Sequence, residues 1–174
     1  AGLATGGITA MLCLEKLGIQ RGQEVLIYGA SGSVGTYAIQ LAKHSGATVT
    51  GVCSTANIEL VKSLGADHVI DYTKDDFSQY RQGYDAIFDA VGKLDGSLRN
   101  LLLKPGGKTF NVNKSSGKLK AEHLEHLKDL VEAGKLKPVI DRCYPLEEIV
   151  EAHRYVEKGH KKGNVVIQIV PSAR

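Results

Sequence analysis

Short apolar runs alternate with amphipathic stretches along most of this sequence. Apolar runs bounded by glycine or polar turns predict β-strands, and apolar residues every three or four positions predict helices. The predicted strands lie at 25–28, 48–53, 68–71, 86–89, 108–113 and 165–170, with an extended piece at 137–143. The predicted helices lie at 8–17, 35–45, 57–64, 74–79 (short and acidic), 96–103, 121–133 and 146–158. This alternation, with strands that are apolar nearly throughout, predicts an α/β fold whose parallel sheet is covered on both faces.

The link between the first strand and the next helix is rich in glycine. Gly29 allows a tight turn off the strand, Gly32 lets the backbone approach a diphosphate, and Gly35 lets the helix pack closely on the sheet. The spacing G-x-x-G-x-x-G is less specific than G-x-G-x-x-G, and a purely structural turn of small residues would share it. Because a second strand follows the helix, the whole unit is βαβ, which favours dinucleotide binding.

The end of the second strand bears on which dinucleotide is bound. An acidic residue roughly 20 residues beyond the glycines binds the ribose 2′-hydroxyl of NAD. Here that place reads Cys53-Ser54-Thr55-Ala56-Asn57, and no acid occurs between Glu24 and Glu59. A carboxylate would repel a 2′-phosphate, whereas small hydroxyl donors would bind it. The sequence therefore favours NADP(H) over NAD(H).

Composition predicts one domain without a nucleic-acid, membrane or metal partner. The chain has 174 residues and a net charge of +3, and its basic clusters at 114–120 and 158–162 are predicted to be solvated loops. We find no nucleic-acid motif, signal peptide or bilayer-spanning segment, and so expect a cytoplasmic protein. Neither the three cysteines nor the six histidines have metal-ligand spacing, which predicts no zinc site.

Several motifs together resemble one family. They are Gly-Ile-Thr-Ala at 7–10, Gly-Ala-Ser-Gly-Ser-Val-Gly-Thr at 29–36, Leu-Gly-Ala-Asp-His-Val-Ile-Asp-Tyr at 64–72, Tyr-Asp-Ala-Ile-Phe-Asp-Ala-Val-Gly at 84–92, Leu-Lys-Pro-Gly-Gly at 103–107 and the closing segment 133–166. The chain resembles the nucleotide-binding domain of the medium-chain dehydrogenase/reductase superfamily, in its quinone-reductase and zinc-independent alcohol-dehydrogenase-like branch. The resemblance implies a Rossmann-type doubly wound parallel sheet across 1–174, with 1–22 as a connecting helix.

The resemblance also implies the site residues. The pyrophosphate would be held by Ala30, Ser31, Gly32, Ser33, Val34 and Gly35. The 2′-phosphate would be faced by Ser54, Thr55, Asn57 and Tyr72, although Tyr72 is equally well explained as a half-exposed aromatic at a strand end. The riboses would be lined by Ala90, Val91 and Gly92, with Thr9 near the nicotinamide. Relatives often carry Lys or Arg near Asn57, and this sequence does not.

The sequence departs from the family pattern in two places. We expect the family's β-rich N-terminal domain, which shapes the substrate pocket, to be missing from these 174 residues. Relatives also have more residues in the interval at 114–118, often including a strand that pairs across a dimer, so either this interval is truly short or part of it is not included in the sequence. We therefore expect a cofactor-binding domain of an NADPH-dependent oxidoreductase that reduces a quinone, enone or carbonyl compound. The substrate would be met through the missing domain, the intact protein would form a homodimer, and this fragment would be inactive alone. The catalytic residues are not identified. The alternative is a non-catalytic NADP(H)-binding sensor or scaffold.

Overall fold

The computed structural model describes residues 2–81, 83–114 and 120–169. Its strands are β1 Glu24–Tyr28, β2 Thr48–Cys53, β3 His68–Asp71, β4 Tyr84–Asp89, β5 Leu103–Asn111, β6 Ile140–Pro145 and β7 Asn164–Gln168. Its α-helices are α1 Leu3–Leu17, α2 Ser33–His44, α3 Ile58–Ser63, α4 Gly96–Leu102, α5 Ala121–Glu132 and α6 Ile149–Glu157.

Five strands form one parallel sheet in the order β3-β2-β1-β4-β5. Side chains of β1 alternate between the two faces. Val25 and Ile27 join the core beneath α1 and α2, whereas Leu26 joins a second core with Leu102 of α4 on the opposite face. The Rossmann-type sheet with helices on both faces is therefore confirmed. The chain leaves β1 toward β2 on one side and returns to β4 on the other, which creates the crevice in which such folds bind ligands.

The first helix begins earlier than the sequence predicted. The prediction was 8–17, whereas α1 starts at Leu3 and runs through Gly6 and Gly7. Glycine weakens an isolated helix, but here it permits close packing of two helices. A Cβ on Gly6 would lie 2.6 Å from the carbonyl oxygen of Ser33 at the start of α2. Tertiary packing therefore accounts for the two glycines that the propensity argument left outside the helix.

Other element boundaries also differ from the prediction. β5 starts at Leu103 rather than 108, because Leu103 pairs with Tyr84 before a register shift carries the strand past Pro105. Short 3-10 turns replace the predicted helix at 74–79 and the predicted helical starts at Asn57 and Leu146. The predicted last strand is β7, and its final residue Val170 and the interval 115–118 lie outside the described residues.

A second, two-stranded parallel sheet joins β6 to β7 and lies against the glycine-rich link. Gly163, just before β7, forms an isolated bridge with Gly32 and donates its backbone N–H to the carbonyl oxygen of Ser31 at 2.8 Å. The buried side chain of Gln40 in α2 bonds both the N–H (2.7 Å) and the carbonyl (3.0 Å) of Lys137. These contacts bring the 159–163 segment to the carboxyl end of the main sheet.

Candidate functional site

The glycine-rich link packs too tightly to admit side chains at two of its positions. Gly29 has φ 81°, and a Cβ there would lie 2.2 Å from Cγ2 of Val91. A Cβ on Gly35 would lie 2.1 Å from the carbonyl oxygen of Gly29. Gly32, in contrast, has φ −77°, and the nearest atom to its added Cβ is 3.4 Å away. Gly29 and Gly35 therefore shape the link, while Gly32 leaves its backbone open to a ligand.

A cavity of about 600 Å³ opens over this link at the carboxyl ends of β1 and β2. Six of the residues predicted for the site line it: Ser31, Gly32, Ser54, Asn57, Tyr72 and Val91. Tyr72 is 55% exposed. The structure thus brings together predicted residues from four separate parts of the sequence, each just after one of the strands β1 to β4, at the crevice of this sheet topology.

The other eight predicted residues do not line the cavity: Thr9, Ala30, Ser33, Val34, Gly35, Thr55, Ala90 and Gly92. Ala30 and Gly35 are buried where the link packs on α2. Ser33 borders a neighbouring cavity that Lys161 also lines. Thr9 is half-buried in α1. These residues support the cavity wall or lie beside it rather than facing into it.

Thr55 is held away from the cavity by a carboxylate. Its hydroxyl donates to Asp71 at the end of β3, and Asp71 also accepts the hydroxyl (2.6 Å) and the backbone N–H (3.0 Å) of Thr73. Hydrogen bonds from Thr55 and then from Thr73 hold the pKa of Asp71 below its usual range. The expected interaction of Thr55 with a 2′-phosphate therefore has a competitor that the sequence did not reveal, since Asp71 follows a different strand.

A second buried carboxylate shapes the opposite wall. Asp89, at the end of β4, accepts backbone N–H groups from Val91 (3.1 Å), Gly92 (2.8 Å) and Leu94 (2.9 Å). These bonds fold the loop after β4 so that Val91 reaches Gly29 and borders the cavity. Burial, followed by the charge of Asp89, raises the pKa of the neighbouring Tyr28 hydroxyl, which therefore stays protonated at neutral pH.

Asn57 lines the cavity and has one buried polar atom without a hydrogen-bond partner among the described residues. Its Nδ2 donates to the hydroxyls of Ser31 and Ser54, both at 3.2 Å, whereas its buried Oδ1 has no hydrogen-bond partner. An unpaired buried acceptor costs about 1–3 kcal/mol, so a bound group that pairs with it gains affinity. Because serine hydroxyls both donate and accept, the amide can also turn its NH₂ group toward a ligand.

The basic side of this cavity was not predicted from the sequence to belong to the site. Its wall includes Lys93, His160, Lys161 and Lys162, and no carboxylate belongs to the lining residues. The Nζ of Lys161 donates to the carbonyl of Gly163 at 2.8 Å, and burial lowers the pKa of Lys161. The run at 158–162 was predicted to be a solvated loop. The density of positive charge in this run was the available signal for an anion site. The run lies far from the glycine link in sequence, so its position beside the link could not be predicted.

Cys53 lines the cavity as an unreactive thiol. Burial, followed by the charge of Asp71, raises its pKa to about 11. Within residues 2–81, 83–114 and 120–169, no three His, Cys, Asp or Glu side chains come together as metal ligands. Over the same residues, no helix has the length and apolarity needed to span a bilayer.

Comparisons with known proteins identify the family. Residues 33–136 match the zinc-binding dehydrogenase family, and residues 111–167 match a second family with that description. The chain is 38% identical to the 2-methylene-furan-3-one reductase of Solanum lycopersicum, covering 94% of this chain and 45% of that protein. It is 34% identical to the chloroplastic NADPH-dependent alkenal/one oxidoreductase of Arabidopsis thaliana, covering 98% and 47%.

A solved structure gives the same result. The quinone oxidoreductase of Coxiella burnetii superposes with a TM-score of 0.83 at 31% identity, covering 98% of this chain and 60% of that one. The chain therefore spans about half the length of the two curated reductases it matches. Family match, sequence relatives and fold agree that this chain belongs to the medium-chain dehydrogenase/reductase superfamily, in its quinone-reductase-like branch.

Proposed function

We propose that this chain binds NADP(H) and forms the cofactor-binding half of an oxidoreductase that transfers hydride to a quinone, enone or carbonyl compound. The observation that carries the proposal is the charge of the cavity. Three lysines and a histidine line it, and none of its lining residues is acidic. NADP(H) has three phosphate groups and therefore gains most from such a wall.

Two further features fit a dinucleotide. Helix α2 points its N-terminus at the cavity, and its N-cap, Gly32, has no side chain to cap the N–H groups of the first turn. Such a helix end favours a phosphate. Beside the same link, where its Nδ2 donates to Ser31, Asn57 has an unpaired amide oxygen that suits a ribose hydroxyl donor. The spacing from glycine link to Asn57 follows the βαβ geometry of dinucleotide sites.

Each part of the wall then has a separate task. The backbone at Ser31 and Gly32 receives the pyrophosphate, and Ser54 and Asn57 receive the adenosine ribose and its 2′-phosphate. Val91 contacts the face of the link and limits the width of the cavity. The nicotinamide supplies the hydride when the cofactor is bound. The chain contributes binding and orientation, and the cavity-lining thiol of Cys53 stays protonated at neutral pH.

The substrate class in this proposal is taken from the names of the relatives. The substrates in those names are an alkenal/one, a 2-methylene-furan-3-one and a quinone. The proposal includes no zinc ion held by this chain, because its described thiols and imidazoles do not converge. The homodimer stays a prediction. So does the cytoplasmic location, since the names of relatives include chloroplastic and mitochondrial proteins.

Titration calorimetry with NADPH and with NADH tests the proposal. We expect NADPH to bind more tightly to the 174-residue chain. Ser54→Asp places a carboxylate beside Asn57 and should weaken NADPH binding more than NADH binding. Ser63→Asp is the matched control, because Ser63 is exposed on α3 and does not line the cavity.

Two results would contradict the proposal. If neither cofactor binds the folded chain, the proposed dinucleotide site is wrong. Equal affinity for the two cofactors, unchanged by Ser54→Asp, would remove the preference for the phosphate and leave only a nicotinamide dinucleotide site.

A further inference from the structure

The adenosine end of the cavity contains a cation that comes from a distant part of the sequence. The turn from Ser54 to Asn57 has no charged residue of its own. The Nζ of Lys162, however, lies 3.3 Å from the carbonyl oxygen of Ala56, in the middle of that turn. Lys162 belongs to none of the ion pairs between described residues. Its charge is therefore available to an anion bound at the turn.

The backbone beside Lys162 is fixed from two directions. Its own N–H donates to Asp141 at 3.0 Å, and Asp141 also accepts the hydroxyl of Tyr155 at 2.6 Å. The next residue, Gly163, donates to Ser31 of the glycine link and has φ 60°, with a Cβ position that would lie 2.5 Å from the carbonyl oxygen of Val139. These contacts direct the exposed Lys162 side chain across the mouth of the cavity.

We propose that Lys162 is a specificity-determining residue that binds the 2′-phosphate of NADP(H) together with Ser54 and Asn57. This inference rests on the proposed function and adds the cation that the turn lacks. Among the described residues the ammonium group bonds a neutral carbonyl at Ala56, so a phosphate offers it a stronger, charge-assisted partner. Tyr72 borders the same cavity and is exposed.

Lys161 makes the inference testable within one segment. It lines the cavity and also borders the neighbouring space beside Ser33, the first residue of α2. The two adjacent lysines therefore lie toward different parts of a dinucleotide. Lys161 lies near the pyrophosphate, which NADPH and NADH share, whereas Lys162 lies near the 2′ position, where they differ.

The experiment measures dissociation constants of NADPH and NADH for the parent chain and four variants, with 2′,5′-ADP and ADP as smaller probes. Lys162→Ala should weaken NADPH and 2′,5′-ADP by about tenfold and leave NADH and ADP within about twofold. Lys162→Arg should retain most of the preference. Lys161→Ala should weaken NADPH and NADH alike. Lys158→Ala removes the same charge outside the cavity and should change neither.

The outcomes separate this inference from the function on which it rests. If the parent chain prefers NADPH and Lys162→Ala keeps that preference, or loses both cofactors equally, the role of Lys162 is overturned while the proposed function stands. If the parent chain has no preference or binds neither cofactor, the proposed function fails first and the role of Lys162 fails with it. Circular dichroism spectra and melting temperatures matching those of the parent confirm that each variant is folded.

Discussion

Replacing Gly35 by alanine should lower the free energy of unfolding substantially, although alanine is the better helix former. The new Cβ would lie 2.1 Å from the carbonyl oxygen of Gly29 and 2.8 Å from Cα of Ala30, all within backbone that cannot rotate away. Since ordinary contact begins at 3.4 Å, helix and link must separate by 1.3 Å. Gly29 and Ala30 both donate to the carbonyl of Val52, at 3.1 and 2.9 Å, and would be pulled from it.

The expected loss follows from these terms. Overpacking costs about 1–3 kcal/mol, and weakening two hydrogen bonds costs about 1 kcal/mol each. Higher helix propensity returns at most about 1 kcal/mol. The net loss in free energy of unfolding is about 2–4 kcal/mol, a large share of the roughly 5–15 kcal/mol that typical domains possess. Urea denaturation followed by circular dichroism measures it.

Gly32→Ala is the control. Gly32 has an ordinary φ of −77°, and its added methyl group meets only the Gly29 carbonyl at 3.4 Å. We expect its free energy of unfolding to stay within about 0.5 kcal/mol of the parent value, as for changes away from core contacts. NADPH binding should weaken, because the methyl group enters the cavity. A Gly35→Ala protein as stable as Gly32→Ala would refute the assignment of Gly35 to packing.

Three other predictions use other parts of the chain. Because the pKa of Asp71 is below 3.8 in the folded state, its carboxylate stabilises the fold at neutral pH and loses that contribution as the pH falls through the folded pKa. The difference in stability between the parent and Asp71→Asn, measured from urea midpoints, should therefore shrink below pH 3.8. A difference that grows there would contradict this prediction. In a thiol assay at pH 8, exposed Cys143 should react at once and Cys53, with a pKa of about 11, only on unfolding; rapid labelling of more than one thiol per folded chain would contradict this. Gln40→Leu should lose about 1–3 kcal/mol, because it strands the N–H and carbonyl of Lys137, and an unchanged urea midpoint would count against that clamp.

The sequence predicted the sheet well because its signals are local. Strands at 48–53 and 68–71 match β2 and β3 in full, since apolar runs ended by glycine or polar turns need no distant partner to be recognised. The start of α1 was missed because Gly6 belongs in a helix only when Ser33 packs against it. Helix propensity describes a residue without its tertiary contacts, so it does not include the contact with Ser33.

The same distinction between local and long-range signals holds for the site. Ser31, Gly32, Ser54 and Asn57 belong to one βαβ unit and the turn after it, were predicted from that unit and from the family resemblance, and all line the cavity. Lys162 was assigned to a solvated loop, because only the folded chain places it over Ala56. The hydroxyl of Thr55 was assigned to a ligand, yet it donates to a carboxylate two strands away from the link. Long-range pairing, rather than residue type, separates the predicted part from the missed part.

The bridge between Gly32 and Gly163 joins an early and a late part of the sequence, so it forms late during synthesis of the chain. The glycine link lies early in the sequence, and the lysines that complete its cavity lie late, so a nascent chain exposes the link long before it acquires its basic wall. Under the proposed function, the dinucleotide site is therefore complete only after the late 159–163 segment has joined the early glycine link. A ligand that contacts both walls adds its binding free energy to the contacts that already hold the 159–163 segment on the link.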